Sequence, residues 1–215
     1  MNSTFTEDWF SSNIPLWKKH LNTFKGKQLN FLEIGTFEGR SAIWLLENIL
    51  VHPESKLYAV DHWKYVGEKN KNVYNTFIKN ISHFKNKVVV LKGYSKDMLR
   101  SNNLPKFDFI YIDANRHSQN VLEDAIMSFQ LLKPNGIMIF DDYTHNKEHD
   151  INCPRPGIDC FLNNYLNEIK ILHKGWQVII KKNKGNTFLK RKPCFSENFQ
   201  EPKNIPEIYK NINQF

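Results

Sequence analysis

The sequence predicts one α/β domain in which a mostly parallel sheet lies between layers of helices. Short apolar runs alternate with helical patterns between Leu29 and Phe140, and such an alternation implies parallel strands joined by right-handed crossover helices. The alternation then stops, because two β-rich runs lie on either side of Lys174 and Gly175. Strands that are so close along the chain pair only as an antiparallel hairpin. The expected sheet is therefore parallel and ends in such a hairpin.

Each expected element follows from a local pattern. The helix at 118–132 has the clearest apolar stripe, which includes Val121, Ala125 and Phe129. Pro15 is expected to bend or interrupt the first helix. The predicted strands are 29–34, 56–61, 87–91, 107–113, 137–140, 170–173 and 176–181. The predicted helices are 6–25, 39–51, 70–84, 95–100, 118–132 and 157–168.

Length and composition indicate a single-domain cytoplasmic protein. Of the 215 residues, 40% are apolar and 24% are charged, which is ordinary for a globular domain. No stretch approaches the ~20 apolar residues of a membrane span, and the first residues lack the features of a secretory signal. Three cysteines without metal spacing indicate reduced thiols. We place the domain at 1–182, with 1–28 as a helical lid, and a basic tail at 183–215.

The net charge of +8 has two interpretations. A basic surface can bind nucleic acid. However, the lysines are scattered along the chain, and the densest run, 181–192, lies around the start of the tail, where a solvated charged segment is the usual explanation. We therefore expect a small-molecule partner and no membrane. A nucleic-acid partner is not expected but stays open, as does a homo-oligomer.

The first predicted strand ends in a glycine turn. Gly35 and Gly39 would let this turn pass close to a ligand, and the helix that follows offers unpaired N–H groups to a carboxylate. A dinucleotide-binding protein would carry a further glycine where this chain has Phe37, so that a pyrophosphate could approach the backbone. Phe37 therefore argues against NAD(P) and favours a ligand without phosphates, such as S-adenosylmethionine (SAM).

Polar residues also follow the second and third predicted strands. Asp61 ends the second strand, where a carboxylate accepts hydrogen bonds from both hydroxyls of a ribose. Alternatively, Asp61 caps the turn that follows it. Ser95 and Asp97 follow the third strand, where they could face an adenine or serve only as helix caps.

Acidic residues end the fourth and fifth strands. Asp113, Asp141 and Asp142 would meet at one edge of the sheet, where like charges without a counter-ion repel each other. A hard divalent cation removes this conflict, and oxygen-only ligands favour Mg²⁺ over zinc. The alternative is that these residues cap helices or solvate loops. His145 and His149 lie nearby in a predicted loop, and we expect both to be solvated.

Together these motifs resemble those of the metal-dependent, catechol O-methyltransferase-like class I methyltransferases, and most closely the branch with macrocin- and rhamnosyl-type O-methyltransferases. The likeness covers roughly residues 8–182. Its motifs are Gly35-x-x-x-Gly39-x-Ser41, Asp61, Gly93-x-Ser95, Ile112-Asp113 and Phe140-Asp141-Asp142-Tyr143. The resemblance implies a Rossmann-like α/β fold with helices on both faces and transfer of a methyl group from SAM.

The resemblance also implies a role for each candidate residue. Those that would bind the cofactor are Glu33, Gly35, Thr36, Gly39 and Ser41 at its methionine half, Asp61 at the ribose, Ser95 at the adenine, and Asp113. Those that would bind Mg²⁺ are Asp113, Asp141 and Asp142. By analogy, the acceptor would be a hydroxyl of a small molecule or sugar. The loop 143–156 and the aromatic residues Trp9 and Trp17 would cover the site and exclude water.

One position departs from the family pattern. Members of the family usually carry a basic residue, often His or Lys, three positions after the strand-four aspartate, and this chain has Arg116 there. Arginine stays protonated and cannot act as a base. The adjacent His117 titrates near neutrality and is the candidate base. The alternatives are that His117 is a solvated residue at a helix start, and that the acceptor is deprotonated with the help of the metal alone.

Two rival functions remain at this stage. The first is a catalytically silent methyltransferase-fold module that binds RNA or another partner through the basic tail. Such a module would have no need of Asp113, Asp141 and Asp142 together. The second is a metal-independent methyltransferase that acts on nucleic acid, and its activity would be insensitive to EDTA.

Overall fold

Seven strands form one sheet in the computed structural model, which describes residues 3–64, 72–101, 103–145 and 153–184. The strands are β1 (Asn30–Ile34), β2 (Lys56–Asp61), β3 (Val88–Lys92), β4 (Phe107–Ile112), β5 (Leu132–Phe140), β6 (Ile169–Lys174) and β7 (Val178–Lys182). Their order across the sheet is β3-β2-β1-β4-β5-β7-β6. The first five strands run parallel, whereas β7 pairs antiparallel with both β5 and β6. The predicted parallel sheet with a terminal antiparallel hairpin is confirmed.

Helices connect these strands. They are α1 (Ile14–Leu21), α2 (Arg40–Asn48), α3 (Val73–Asn80), α4 (Ser95–Ser101), α5 (Ser118–Leu131) and α6 (Arg155–Asn164). Short 3-10 turns occupy Ser11–Asn13, Asn22–Phe24 and Ser82–Phe84. Helix α5 buries Val121, Ala125 and Phe129, the apolar stripe expected from the sequence. Within the described residues, no helix has the length and apolar character needed to cross a membrane.

Several boundaries differ from the sequence prediction, those of α1, β5 and α6 among them. Helix α1 is shorter than expected, because Pro15 lies in its first turn and begins the helix instead of bending a longer one. Strand β5 starts at Leu132 and not at residue 137, because the segment before Gly136 also pairs with β4, through a register shift. Helix α6 covers Arg155–Asn164, a few residues earlier than the predicted 157–168. His149, half of the loop 143–156 and most of the tail lie outside the described residues.

Apolar side chains pack on both faces of the sheet. Alternate residues of a strand point to opposite faces, so Phe31 and Phe109, which are paired in register on β1 and β4, belong to one core. The next pair along the two strands, Leu32 and Ile110, belongs to the other core. Trp17 of α1 is fully buried in the first core. This burial corrects the expectation that Trp17 covers the site from outside.

The strand order reverses beside β1. Helix α2 leads from β1 to β2 on one side, whereas β4 lies on the other side of β1. Open α/β sheets bind their ligands at such a switch point, at the carboxyl ends of the strands. The candidate site residues of β1, β2, β4 and β5 all lie at this edge.

Candidate active site

Two cavities lie side by side at the carboxyl ends of the parallel strands. The first, of about 250 Å³, is bounded by the turn after β1, the ends of β4 and β5, and residues 5–10. The second, of about 260 Å³, is bounded by the ends of β1 and β2, the start of α4 and the helix α5. Gly35, Ala114 and Asn115 line both. Together they reach roughly 500 Å³, within the ~300–1,000 Å³ of ligand pockets, so one elongated ligand can extend through both.

The glycines of the turn after β1 are required by close packing. Gly35 has φ +90°, and a Cβ on it would lie 2.1 Å from the carbonyl oxygen of Asp113. Gly39, with φ +84°, precedes α2, and a Cβ there would lie 2.9 Å from the ring of Phe77. Both positions therefore exclude a side chain. The turn expected from the sequence is present, and Gly35 brings the ends of β1 and β4 into contact.

Asp61 holds this turn in place. One of its carboxylate oxygens accepts hydrogen bonds from the backbone N–H groups of Thr36 (3.0 Å) and Phe37 (2.9 Å), and the other accepts one from Trp63 (2.8 Å). The side chain is buried and lines the second cavity. The two interpretations of Asp61, a turn cap and a cavity carboxylate, are thus both compatible with its position.

Behind the turn, Glu33 is completely buried. Its carboxyl group accepts a short hydrogen bond from the Ser41 hydroxyl at the start of α2. Burial, and to a smaller degree the nearby Asp61, raise the pKa of Glu33 to about 8, although the Ser41 hydroxyl opposes this. The second carboxyl oxygen of Glu33 and the Thr36 hydroxyl are buried with no hydrogen-bond partner among the described residues. Such unsatisfied groups are rare in proteins and fit a site that receives polar atoms from a ligand.

A tyrosine lies between the acidic residues of β4 and β5. The hydroxyl of Tyr111 donates a short hydrogen bond to Asp141 and lies 2.9 Å from the carboxyl of Asp113. Asp113 is exposed at the cavity, but desolvation by the surrounding protein and then the neighbouring Asp141 hold its pKa well above its usual range, and burial raises the pKa of Asp141. Sequence reasoning missed Tyr111, because an aromatic residue inside a buried strand has the pattern of a core residue.

Asp142, in contrast, has a counter-ion. Its carboxylate lies 2.6 Å from the Nε atom of Arg116, so the expectation of three carboxylates without a counter-ion is wrong for this residue. Among the described residues, no group of three or more His, Cys, Asp or Glu side chains is arranged to hold a metal ion. The three residues Asp113, Asp141 and Asp142 stay predicted ligands, and in this arrangement Asp142 is paired with Arg116.

The two candidates next to the acidic residues differ in position. Arg116 lines the first cavity, although its side chain is more than half exposed. His117 lies immediately before α5, is exposed, and is absent from the lining of both cavities. Its backbone N–H donates to the side chain of Asn115, 2.7 Å away. This position matches the alternative of a solvated residue at a helix start better than that of a base.

Ser95 contacts an acidic residue that the sequence analysis did not select. Both Ser95 and Asp124 line the second cavity, and the Ser95 hydroxyl donates a hydrogen bond to the Asp124 carboxyl. Burial raises the pKa of Asp124 to about 6. Asp124 was missed because a polar residue in an amphipathic helix has the pattern of a surface position.

A family model described as a methyltransferase domain matches residues 32–143, more than half of the chain. The chain belongs to this methyltransferase family. The matched segment includes β1, β2, β4 and β5 and thus every strand end at the two cavities. The predicted membership of a methyltransferase family and the Rossmann-like fold are confirmed.

Individual relatives agree with the family. An uncharacterized protein of Acanthamoeba polyphaga mimivirus is 32% identical over 126 residues, which are 57% of this chain and 55% of that protein. The methyltransferase thus matches about half the length of this relative. An O-methyltransferase from Bacillus cereus, solved in complex with S-adenosylhomocysteine (SAH), is 22% identical, with a TM-score of 0.61 and 85% of both chains covered. The mycinamycin-pathway methyltransferase MycE, solved with Mg and SAH, is 14% identical, with a TM-score of 0.61 and 85% of this chain and 52% of that one covered.

The N-terminal segment of the methyltransferase supplies an aromatic wall to the first cavity. Phe5, Trp9 and Phe10 line it, and the ring of Trp9 packs 5.2 Å from that of Phe37. The segment is fixed where the carboxylate of Glu38 accepts hydrogen bonds from the backbone N–H (2.6 Å) and hydroxyl (3.0 Å) of Thr6. Trp9 thus lines the first cavity, and its role as a cover of the site stays a prediction.

Proposed function

We propose that this methyltransferase binds SAM across the two cavities and transfers the methyl group to a hydroxyl of a small molecule or sugar. The observation that carries the proposal is the junction of the cavities at Gly35, Ala114 and Asn115, which provides one continuous site at the switch point of the sheet. SAH is bound in the solved structures of the Bacillus cereus enzyme and of MycE. The same class of ligand in this chain would meet the predicted residues.

The cofactor would extend from the second cavity into the first. Ser95 lies beside the adenine and Asp61 beside the ribose in this arrangement, since both line the second cavity. The methionine half lies at the turn after β1, where the unpartnered oxygens of Glu33 and Thr36 would accept hydrogen bonds from its ammonium group. Gly35, Gly39 and Ser41 shape the same turn, and Asp113 closes it from β4. The protein then mainly positions the two reactants for in-line transfer.

The charge of the first cavity favours a small neutral acceptor over nucleic acid. Five acidic residues line this cavity, namely Glu7, Glu38, Asp113, Asp141 and Asp142. The lining also includes Arg40 and Arg116, and each of these pairs with a carboxylate, Asp8 and Asp142 respectively. No cation of this lining is left without a carboxylate partner among the described residues, so the cavity offers little to attract a phosphate backbone despite the positive net charge of the whole chain. The aromatic wall at Trp9 provides an apolar surface for an organic ring.

The Mg²⁺ requirement is a separate proposal. Mg is present in the solved MycE complexes. In this chain, however, Arg116 would have to release Asp142 before three carboxylates could share a cation. A bound Mg²⁺ would orient the acceptor hydroxyl and lower its pKa. Asp113, Asp141 and Asp142 remain its predicted ligands, and the experiment below treats metal and cofactor separately.

Calorimetry with SAH, in the presence and absence of Mg²⁺, tests the proposal. We expect SAH to bind and to raise the melting temperature, because a ligand that binds only the native state stabilises it. Asp61→Ala should weaken SAH binding by ~10–100-fold, since charged hydrogen bonds contribute ~1.5–3 kcal/mol each. Asp97→Ala is the control, because Asp97 is outside the lining of both cavities.

Three results would change the proposal. Stabilisation by NADH and not by SAH would contradict SAM as the cofactor. A methyl-transfer assay that succeeds with an oligonucleotide, and not with small hydroxylated acceptors, would contradict the acceptor class. Full transfer activity in excess EDTA would remove Mg²⁺ from the reaction and leave the SAM proposal intact.

A further inference from the structure

Asp124 presents a buried carboxyl group to the cavity assigned above to the nucleoside. The residue lies on α5, is only 3% exposed, and accepts a hydrogen bond from Ser95 on the opposite wall. Among the described residues, no lysine or arginine forms an ion pair with it. An unpaired acid at this depth costs free energy, so its presence at a ligand cavity points to a role in binding.

The other acidic residues of this cavity have partners or roles assigned above, Asp61 at the ribose. Asp61 accepts hydrogen bonds from three backbone N–H groups. Glu123 pairs with Arg100 at the surface, at 2.5 Å. Lys96 also lines the cavity but only donates hydrogen bonds. Asp124 therefore has one assigned hydrogen-bond partner, the Ser95 hydroxyl. Since an ionised carboxylate can accept from several donors, Asp124 can accept a further hydrogen bond from a ligand.

We propose that Asp124 selects adenine as the base of the cofactor, by accepting a hydrogen bond from its exocyclic amino group. The inference rests on the proposed SAM site and adds a residue that determines which nucleoside this site accepts. Hypoxanthine differs from adenine at this position, where a carbonyl oxygen replaces the amino group. Two acceptors would then face each other, and a site built to bind a donor rejects such an analogue strongly.

The test compares SAH with S-inosylhomocysteine, its deaminated analogue, by calorimetry on the full chain at pH 8. The wild type should bind SAH ~10–100-fold more tightly, the value of one hydrogen bond to a charged group. Asp124→Asn should reduce this preference to within about fivefold, because an amide both donates and accepts. The variant should fold normally, since it removes a buried charge, and its melting curve checks this.

Two neighbouring variants are the matched controls. Glu123→Gln changes the adjacent acid of the same cavity, and Asn120→Ala removes an amide one helical turn earlier. Both should keep the wild-type preference for SAH. Equal affinity of the wild type for the two ligands would overturn the proposal. An Asp124→Asn variant that loses affinity for both ligands to the same extent would also overturn it, and so would an Asn120→Ala variant that loses the preference for SAH. If the wild type binds neither ligand, the SAM proposal itself fails.

Discussion

The two ends of the candidate site satisfy their charges in different ways. At the ends of β1 and β2, the Asp61 carboxylate is surrounded by backbone N–H donors that fix its position. At the ends of β4 and β5, Asp113 and Asp141 share one hydroxyl, and loss of solvation is the main cause that raises the pKa of each. At the first end the donors hold an ionised carboxylate, whereas at the second end the neighbouring carboxylates disfavour each other's ionised forms.

This difference predicts how the acidic residues at each end of the site affect the stability of the folded chain. Donors from the backbone are available to Asp61 in the folded chain without any ligand, so this end adds stability to the fold. At the ends of β4 and β5, Asp141 accepts hydrogen bonds from the Tyr111 hydroxyl and from the backbone N–H of Asp142, whereas the Tyr111 hydroxyl is the hydrogen-bond partner described for Asp113. The pKa of both acids is nevertheless raised, so their ionised forms lower the stability of the folded chain. Glu33, behind the turn after β1, is the exception at the first end, because it is buried with one oxygen unpartnered.

The largest expected effect is that of Glu33 on the free energy of unfolding. The folded pKa of Glu33, about 8, lies above the ordinary value of 4.5. The folded state therefore binds a proton more tightly than the unfolded state, and stability falls as pH rises from about 4.5 to 8. Glu33→Gln should match the wild type near pH 4.5 and exceed it by several kcal/mol, at most ~5, above pH 8.

Urea unfolding of both proteins between pH 4.5 and 9 measures this difference. Glu47→Gln, an exposed position on α2, is the control and should follow the wild-type profile. A Glu33→Gln variant with the same pH dependence as the wild type would show that Glu33 is ionised in the fold. The first end of the site would then contain a compensating group that the described residues do not reveal.

A smaller effect is expected from two adjacent residues at the other end. Asp141→Asn should raise the free energy of unfolding at pH 8 in EDTA by no more than ~1 kcal/mol. It removes a charge that burial disfavours, but its single amide oxygen can replace only one of the two carboxylate oxygens that accept from Tyr111 and from the Asp142 N–H. Asp142→Asn should lower it by no more than ~1 kcal/mol, because it breaks a partly exposed ion pair with Arg116. Loss of stability in Asp141→Asn would mean that this end is compensated as well as the first.

The smallest effect is expected at the start of α5. Since His117 is exposed and absent from the cavity lining, His117→Ala should keep kcat within about threefold for any acceptor that the transfer assay identifies. A loss of ~10²–10⁴-fold would restore His117 as the base, because that is the usual contribution of a positioned base. Arg116→Ala is the companion variant, and it should act mainly on the KM of the acceptor.

Much of the architecture followed from local patterns. The alternation of strands and helices, the terminal hairpin and the acidic strand ends are all visible in short segments of sequence. The boundaries of α1 and β5 were wrong where a local signal had two meanings. Pro15 can bend a helix or begin one, and the residues before Gly136 can form a turn or extend a strand.

The partners of the site residues could not be predicted in the same way. Tyr111 lies between Asp113 and Asp141 because β4 and β5 pair in a register that aligns Tyr111 with Ile139. The contact between Ser95 and Asp124 depends on how α4 and α5 pack. Trp17 is a further case, since its indole N–H donates to Gln177 (2.8 Å), a residue 160 positions away.

The sequence by itself thus determined the order of the elements, the fold class and the strand ends at which polar residues gather. These depend on hydrophobic periodicity and on residues that begin or end an element, which act over a few positions. Only the tertiary structure decided which acids are compensated, by Arg116, by Tyr111 or by the backbone. Hydrogen bonds and ion pairs require atoms within a few ångströms of each other, and for residues far apart in the chain that proximity exists only after the sheet and its helices have packed.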